Sequence, residues 1–216
     1  MLYRKSKKSK HLAKVKKKKR KWHYFGLLKV FLILVSLSVS FSFSQELSDK
    51  NSRKYFENQL EEIEKYNFIQ EISSLAQKQQ EEHGILSSII LAQACLESDF
   101  GRSSLASKYY NLFGVKAYTE SEKITLETQE FTEEEEWITI RADFRVYRDW
   151  SESIEAHSNL FVNGVDWDPE KYYPVLSAKD YKEAAKALQS SGYATDLDYS
   201  KKIIKMIESY SLYRYD

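Results

Sequence analysis

Hydrophobic and polar positions divide the chain into four stretches. They are a basic stretch (1–23), an apolar stretch (24–43), a highly charged stretch (45–66) and a longer mixed stretch (67–216). In the charged stretch, Phe56, Leu60 and Ile63 recur at the spacing of one helix face. We therefore predict a charged helical stalk, followed by one folded domain.

Helical periodicity dominates the predicted domain. Apolar residues three and four positions apart predict helices over 68–84, 87–97, 150–162, 178–190 and 198–213. Ser87 or Ser88 is expected to cap the second of these helices, and Asp149 with Glu152 forms a capping-box pattern before the third. With only two prolines and six glycines in the chain, a loop-rich or all-β domain is not expected.

Strand periodicity occurs in one part of the domain. Residues 123–131 and 136–147 are rich in Thr, Ile, Val and aromatic side chains, and they partly alternate between apolar and polar. We predict that they pair as a hairpin with its turn near 132–135. The expected fold class is thus α+β, mostly α, with one small β-hairpin.

The apolar stretch 24–43 has the length of a membrane-spanning helix. It holds one charged residue, Lys29, and as a helix its 20 residues would cross the roughly 30 Å hydrocarbon core. Of the 33 Lys and Arg residues of the chain, 13 lie in 1–44, which contains no Asp or Glu. Basic residues on one flank predict a cytoplasmic tail over 1–23 and a single-pass protein whose folded domain lies outside the cell.

An alternative for this segment is a secretory signal peptide. The stretch SFSQ (42–45) offers small residues at both cleavage positions, so secretion after cleavage stays open. The basic tail is interpreted as an orientation signal that also contacts anionic membrane lipid, and nucleic acid is not expected as a partner. The sequence does not indicate a particular membrane protein partner.

Cysteine and histidine are expected to be structural. Cys95, the single cysteine, lies among apolar residues within a predicted helix and is predicted to be a small core residue. A cysteine-protease pair with His83 or His157 is a weak alternative, because activated thiols favour helix N-termini in polar surroundings. His157 is predicted to be a hydrogen-bonded structural histidine. No residue cluster has metal-ligand spacing, and we expect neither a metal nor a cofactor.

One carboxylate follows directly on the most apolar helix. Glu97 comes after Leu91, Ala92, Ala94, Cys95 and Leu96, with no cation near it in sequence. It either faces solvent from the edge of the helix or lies half-buried. In the second case its pKa would be raised, so that it could donate a proton near neutral pH.

Motifs around Glu97 occur in an order typical of one enzyme family. They are SSIILAQACLESDFGRSSLASKYYNLFGVKA (87–117), TQE (128–130), FRVYRDWSESIEAHSNLF (144–161) and SGYATDLDYSKKI (191–203). Together they resemble glycoside hydrolase family 73, bacterial N-acetylglucosaminidases that cut peptidoglycan. The resemblance covers roughly Phe68 to Tyr213 and implies a glucosaminidase domain over 67–216, with a lysozyme-like helical lobe facing the β-hairpin lobe.

The resemblance also implies roles for individual residues. Glu97 matches the general acid, and Glu130 matches a second acidic residue that would activate water or stabilise positive charge on the sugar. Glu133 is a reserve candidate for that second role, and the 2-acetamido group of the substrate could itself act as the nucleophile. Tyr193 is the third catalytic candidate, since it matches an aromatic residue that lines the cleft and whose hydroxyl can orient the substrate or the acid.

Further residues are expected along the wall of that cleft. The candidates for substrate binding are Phe100, Asn111, Phe113 and Thr128. Asn111 could hydrogen-bond an acetamido group, and Phe113 could stack on a sugar face. By contrast, the tryptophans Trp137, Trp150 and Trp167 are expected to be packing residues.

The expected function is hydrolysis of the β-1,4 bond after N-acetylglucosamine in peptidoglycan glycan strands. A muramidase or lytic transglycosylase on the same fold is the nearest alternative. The segment NLFGVK (111–116) differs from the GA-x-GL-(M)Q segment usual in such transglycosylases and favours the first function. A non-catalytic cell-wall-binding module is an alternative of another class.

Overall fold

The computed structural model describes the backbone of most residues and the side chains of a smaller set. It covers the backbone of residues 3–118, 122–131 and 137–216, and side chains from residue 36 onward except at 37, 39, 41, 129–131 and 137. Contacts divide the chain into two compact units, Met1–Glu61 and Glu62–Asp216. The second unit contains the buried core and is described first.

The second unit consists of short helices and one hairpin. In chain order its elements after the long helix α1 (Tyr3–His83) are α2 (Ser87–Ser98), α3 (Ser104–Tyr109), β1 (Lys123–Phe131), β2 (Trp137–Arg145), α4 (Trp150–Asn163), α5 (Tyr173–Leu176), α6 (Tyr181–Ser190), α7 (Tyr199–Ser209) and a 3-10 helix (Leu212–Tyr215). The fold is therefore mostly helical with a small two-stranded sheet, as the hydrophobic pattern predicts.

Helix α2 lies at the centre of this unit. Ten of its twelve residues are buried, and it packs against α6, α7 and the 3-10 helix. A helix that is mostly apolar on every face is stable only when other elements enclose it, and α2 is enclosed in this way. Cys95 is buried within it at 1% exposure, which confirms its prediction as a core residue.

The start of α2 is capped by side chains from distant parts of the chain. The backbone N–H of Ser87 donates to Gln80 Oε1 (2.6 Å), and that of Ser88 donates to Asp216 Oδ1 (2.7 Å). The Ser87 hydroxyl also donates to Gln80 Oε1, and the Ser88 hydroxyl donates to Asp216 Oδ2. The predicted capping by Ser87 or Ser88 is therefore wrong, because Gln80 and Asp216 already accept from the free N–H groups at this end.

The end of α2 is a tight left-handed bend. Asp99, Phe100 and Gly101 all have positive φ, between 51° and 77°. A Cβ on Gly101 would lie 2.7 Å from ring carbons of Phe68 and 3.1 Å from Trp150. Glycine is thus required here both for the backbone conformation and for the close approach of two aromatic rings.

The predicted hairpin is confirmed. Strands β1 and β2 pair antiparallel in the register Lys123↔Arg145 to Phe131↔Trp137. The backbone of the chain before β1 is tied to β2, since Arg145 N donates to Val115 O (3.0 Å) and Ala117 N donates to Asp143 O (2.9 Å). The predicted turn near 132–135, with Glu133, lies outside the described residues.

The remaining helices follow the predicted positions closely. Asp149 caps α4 by accepting from Glu152 N (2.9 Å), as the capping-box pattern predicts. Helix α6 begins at Tyr181 rather than at 178, because Asp180 accepts from the N–H groups of Lys182 and Glu183 and so ends the preceding loop. The predicted helix 198–213 is α7 followed by a separate 3-10 helix.

The first unit belongs to α1. This helix is continuous through 66–68, where the sequence predicts a break between the stalk and the next helix. No Gly or Pro occurs between residues 45 and 83, so nothing in this stretch ends a helix. Within the described part of the chain, no helix has enough length and apolar character to cross a membrane. Most side chains of the predicted membrane segment 24–43 lie outside the described residues.

Candidate active site

Glu97 lies in the last turn of the buried helix α2, just before the left-handed bend. As a whole residue, Glu97 is exposed to solvent. Protein atoms around the carboxyl nevertheless displace water, and this burial raises the pKa of Glu97 above its usual range. The site thus combines access for a substrate with a carboxyl group that holds its proton more tightly.

Tyr199, at the start of α7, binds this carboxyl group. Its hydroxyl donates to Glu97 Oε1 over 2.9 Å. Gln93, one turn before Glu97 on α2, in turn donates from Nε2 to the Tyr199 hydroxyl over 3.1 Å. Both Gln93 and Tyr199 are buried, at 0% and 4% exposure, so this chain of hydrogen bonds approaches Glu97 from the protein interior.

Lys202 supplies a positive charge near the same carboxyl group. It lies one turn beyond Tyr199 on α7, and its Nζ pairs with Asp196 Oδ2 (2.5 Å). The charge of Lys202 and the hydrogen bond from Tyr199 both lower the pKa of Glu97, but burial has the larger effect. The net result is an acid weaker than a free glutamate.

Tyr193 lies in a group of aromatic rings beside this site. Its ring stacks with those of Phe161 and Tyr199 at centroid distances of 5.7 Å, and it meets the edge of His157 at 6.1 Å. Burial raises the pKa of Tyr193, and the nearby charge of Glu97 raises it further. The structure therefore brings Tyr193 and Glu97 together, as the motif order predicts.

Comparison with known proteins identifies the family. A family model for glucosaminidases, described as mannosyl-glycoprotein endo-beta-N-acetylglucosaminidase, matches residues 73–212. The exo-glucosaminidase LytG of Bacillus subtilis is 45% identical over 203 residues, which are 94% of this chain and 69% of LytG. The chain belongs to the glucosaminidase family. It is a glycoside hydrolase, and the resemblance to glycoside hydrolase family 73 is confirmed.

Other members of the family support the fold. The catalytic domain of the autolysin Auto from Listeria monocytogenes superposes with a TM-score of 0.66 at 36% identity, covering 71% of this chain and 88% of that chain. The peptidoglycan hydrolase FlgJ of Escherichia coli is 34% identical over 146 residues, which are 65% of this chain and 45% of FlgJ. The glucosaminidase fold of this chain is thus the mostly helical, lysozyme-like one.

Asn111 has a structural position in this glucosaminidase. Its Nδ2 donates to the carbonyls of Val115 (2.9 Å) and Arg145 (3.0 Å), and its Oδ1 accepts from Val115 N (3.0 Å). The side chain is buried at 1% exposure. Its amide, which was expected to bind substrate, is therefore engaged in tying the NLFG turn to the end of β2.

Phe113 and His157 form a buried stack. Their rings are nearly parallel, with centroids 3.8 Å apart, and the Phe161 ring lies tilted against the imidazole at 4.9 Å. Neither ring nitrogen of His157 has a hydrogen-bond partner among the described residues. The expectation of a hydrogen-bonded histidine is thus not met among the described residues, and the rings of Phe113 and Phe161 that lie against the imidazole offer no polar atom.

Phe100 packs toward the α1 side of the domain. It meets the rings of Phe68 and Tyr210 edge-on, at 6.4 and 5.1 Å, and Lys65 Nζ lies over it at 5.5 Å. The ring is half-buried in these contacts. Its predicted contact with substrate remains a prediction.

The tryptophans differ in environment. Trp150 is a packing residue as predicted, since it meets Phe68 edge-on and donates from Nε1 to Ala106 O (3.1 Å). Trp167 is 80% exposed, so its prediction as a packing residue is wrong. It lies in the tight turn closed by Val165 and Asp168, which leaves its ring in solvent. The side chain of Trp137 lies outside the described residues.

The hairpin residues of the predicted site lie on β1. Thr128 is half-buried and pairs with Ile140, and the backbone of Glu130 pairs with Ile138. The side chain of Glu130 and all of Glu133 lie outside the described residues. Among the described residues, no group of three or more His, Cys, Asp and Glu side chains could hold a metal ion.

Sequence reasoning missed three residues near the acid. Tyr199 and Lys202 act on Glu97 directly and Gln93 binds Tyr199, although none of the three was singled out. A signal was present for the first of them, because positions 93 and 97 are one helical turn apart and share a face. Tyr199 and Lys202 come from a different helix, and only the packing of α7 against α2 brings them to the site.

Proposed function

We propose that this glucosaminidase hydrolyses peptidoglycan, cleaving the β-1,4 bond after N-acetylglucosamine with Glu97 as the general acid. The single observation that supports this best is the state of Glu97. Its side chain is accessible, yet burial raises its pKa and a buried tyrosine holds one of its oxygens. These are the properties required of a carboxyl group that must protonate a leaving sugar oxygen.

The proposed reaction begins with proton transfer from Glu97 to the glycosidic oxygen. As the bond breaks, the protonated oxygen leaves with the neighbouring sugar, and positive charge develops on the ring of the N-acetylglucosamine that bears the anomeric carbon. We assign to Glu130, whose backbone lies near the end of β1, the stabilisation of this charge or the activation of the water that adds to the anomeric carbon. The 2-acetamido group of the substrate is the alternative nucleophile, with Glu130 then supporting it.

We further propose that Tyr193 and Thr128 border the bound glycan, whereas the ring of Phe113 is buried in its stack on His157. Tyr193 belongs to the aromatic group beside Glu97. Aromatic faces of this kind suit the apolar faces of sugar rings. The peptidoglycan substrate itself is supported by the peptidoglycan hydrolase FlgJ, a member of the same family.

Digestion of peptidoglycan tests the proposed bond and the proposed acid together. Purified peptidoglycan is treated with the full chain, with Glu97→Gln and with the control Glu155→Gln, which changes an exposed carboxylate on α4. The products are reduced with borohydride, and their terminal sugars are identified by mass spectrometry. We expect reduced N-acetylglucosamine ends from the wild type and the control, and a loss of activity of at least about 100-fold in Glu97→Gln.

Other products would point to other enzymes. Reduced muramic acid ends would identify a muramidase, and anhydro-muramic acid ends a lytic transglycosylase. Full activity of Glu97→Gln would exclude Glu97 as the acid. No cleavage by the wild type would favour the cell-wall-binding module.

We also propose that residues 24–43 anchor the protein in the membrane, with the catalytic domain outside the cell. The support is the distribution of charge, since residues 1–23 hold 12 Lys and Arg and no Asp or Glu, whereas the stretch after residue 43 mixes acidic and basic residues. Protease treatment of intact bacterial spheroplasts expressing an N-terminally tagged chain tests this topology. We expect digestion of the domain, protection of the tag and retention of the tag in the membrane fraction. A tag that is missing from the mature protein would instead indicate a cleaved signal peptide.

A further inference from the structure

The contacts of the Tyr199 hydroxyl restrict where its proton can lie. The oxygen accepts from Gln93 Nε2 at 3.1 Å and is 2.9 Å from Glu97 Oε1. A neutral phenol has one proton to donate. Burial raises the pKa of Tyr199 above its ordinary value near 10, so the phenol is neutral around neutral pH. With Gln93 as donor to the oxygen, that one proton is directed to Glu97 Oε1.

This direction of donation distinguishes the two oxygens of Glu97. Oε1 accepts from Tyr199 whether or not the carboxyl group is ionised. When Glu97 is protonated, this contact favours its own proton on Oε2, the oxygen that does not face the phenol, because the carbonyl oxygen is the better acceptor. A general acid is effective only if its proton is on the oxygen that reaches the substrate.

We propose that Tyr199 is a positioning residue for the general acid, and that Gln93 Nε2 and the Tyr199 hydroxyl together keep the transferable proton on Glu97 Oε2. Gln93 and Tyr199 are both buried, so solvent does not compete for their hydrogen bonds. Gln93 is on the same helix as Glu97 and Tyr199 begins α7, so the arrangement also locks α7 to α2. This inference rests on the proposed role of Glu97 as the acid.

The opposite chain of hydrogen bonds is a distinct alternative. In that chain Glu97 donates its proton to Tyr199, and Tyr199 donates to Gln93 Oε1. The two chains differ in the form of Glu97 that they stabilise: donation from Tyr199 favours the carboxylate, whereas donation to Tyr199 favours the carboxylic acid. Removal of the Tyr199 hydroxyl therefore changes the pKa of Glu97 in opposite directions in the two cases.

The decisive measurement is the titration of Glu97 in Tyr199→Phe. The full chain is labelled with ¹³C at glutamate carboxyl carbons, and the Glu97 resonance is assigned as the one missing from Glu97→Gln. Other charged or titratable groups that act on Glu97 are Lys202 and Tyr193, and both are retained in this variant. We expect the midpoint to rise, because a hydrogen bond to the carboxylate is lost. An unchanged or lowered midpoint would overturn the proposal.

Kinetics on soluble peptidoglycan oligosaccharides provide the second readout. We expect kcat of Tyr199→Phe to fall about tenfold to a hundredfold with KM within about twofold, since a hydrogen bond to a charged group is lost and no contact to the substrate is. The fall of kcat at alkaline pH should move to higher pH with the Glu97 midpoint. An unchanged kcat and pH profile would contradict a positioning role.

A matched control removes the same kind of hydrogen bond elsewhere. The Tyr181 hydroxyl donates to Glu208 Oε1 (3.2 Å) between α6 and α7, away from Glu97. Tyr181→Phe should leave both kcat and the Glu97 titration unchanged. Gln93→Met is a second variant in case Tyr199→Phe folds poorly: it removes the donor to Tyr199, and the Glu97 midpoint should rise by less than in Tyr199→Phe. A midpoint unchanged in Gln93→Met would overturn the part assigned to Gln93.

The two readouts separate this inference from the proposed function. If the wild type cleaves no glycan but the Glu97 midpoint rises in Tyr199→Phe, the hydrogen-bond arrangement holds and the proposed activity fails. If the wild type cleaves glycan through Glu97 but neither readout changes in Tyr199→Phe, the proposed activity holds and the positioning role fails.

Discussion

Burial shifts the pKa values of Glu97 and His157 in opposite directions. Burial disfavours the charged form of a group, so it raises the pKa of an acid and lowers that of a base. It raises the pKa of Glu97, and it lowers the pKa of His157 to about 3. Glu97 is thereby suited to keep a proton, whereas His157 is a neutral ring between Phe113 and Phe161.

At the scale of the residue, we predict that His157→Phe stabilises the protein. The imidazole is 2% exposed, and its two nitrogens have no hydrogen-bond partner among the described residues. Replacing it with an apolar ring therefore removes two buried polar atoms that make no hydrogen bond with these residues. We expect the free energy of unfolding in urea at neutral pH to rise by about 1 kcal/mol. A loss of more than that amount would show that the imidazole makes a favourable polar contact.

The pH dependence of stability should change with the same substitution. The unfolded chain binds a proton at His157 below its ordinary pKa of 6.5, whereas the folded chain does so only below about 3. Folding stability conferred by the neutral imidazole is thus complete above 6.5 and is lost as the pH falls toward 3. Urea unfolding between pH 4 and 7 should therefore show a shallower loss of stability in His157→Phe than in the wild type.

At the scale of the element, the C-terminal end of α2 depends on one glycine. Gly101 ends the left-handed bend that follows Glu97, and Phe68 and Trp150 approach it closely. The bend begins two residues after Glu97, so the packing of Gly101 against the core lies directly beside the candidate site.

We predict that Gly101→Ala destabilises the domain by about 2–5 kcal/mol, from overpacking against Phe68 and from the left-handed backbone. Urea unfolding measures the loss. The control is Gly192→Ala, which has a similar φ of 67° but nothing within 4 Å of the added Cβ. It should lose only about 1 kcal/mol. Equal losses in the two variants would exclude the contact with Phe68 as the cause.

At the scale of the whole second unit, the end of the chain is tied to the start of the central helix. Asp216 accepts from the backbone N–H and the hydroxyl of Ser88, and its own backbone carbonyl accepts from Gln80 Nε2 (3.0 Å). Helix α2 is therefore held at its start by the last residue and near its end by Tyr199 of α7. Both contacts join parts of the chain more than 100 residues apart.

We predict that Asp216→Ala lowers the free energy of unfolding by about 1–2 kcal/mol, the usual range for the loss of a helix cap. Urea unfolding at neutral pH tests this, with Asp166→Ala, an exposed aspartate in a loop, as the control. Asp216→Ala should also leave the Glu97 titration unchanged, since Glu97 lies at the other end of α2. A stability equal to that of the wild type would mean that water replaces the carboxylate as the cap.

Local signals in the sequence were sufficient for most of the elements. Periodicity predicted α2, α4, α6 and α7, and alternation predicted the hairpin. It did not predict the short helices α3 and α5, which span six and four residues and are too short to show a period. Nor did it predict that α1 continues through 66–68, where a change from charged to apolar composition is not itself a reason for a helix to end.

By itself, the sequence determined most of the helical and strand segments, the family and the proposed position of the acid, because each depends on residues close together in the chain. Tertiary structure decided which groups act on that acid. Tyr199 and Lys202 reach Glu97 only because α7 packs against α2, and Asp216 reaches Ser88 only because the chain end returns to α2. Hydrogen bonds, desolvation and charge act through space over a few ångströms, so they depend on contacts that no local pattern specifies.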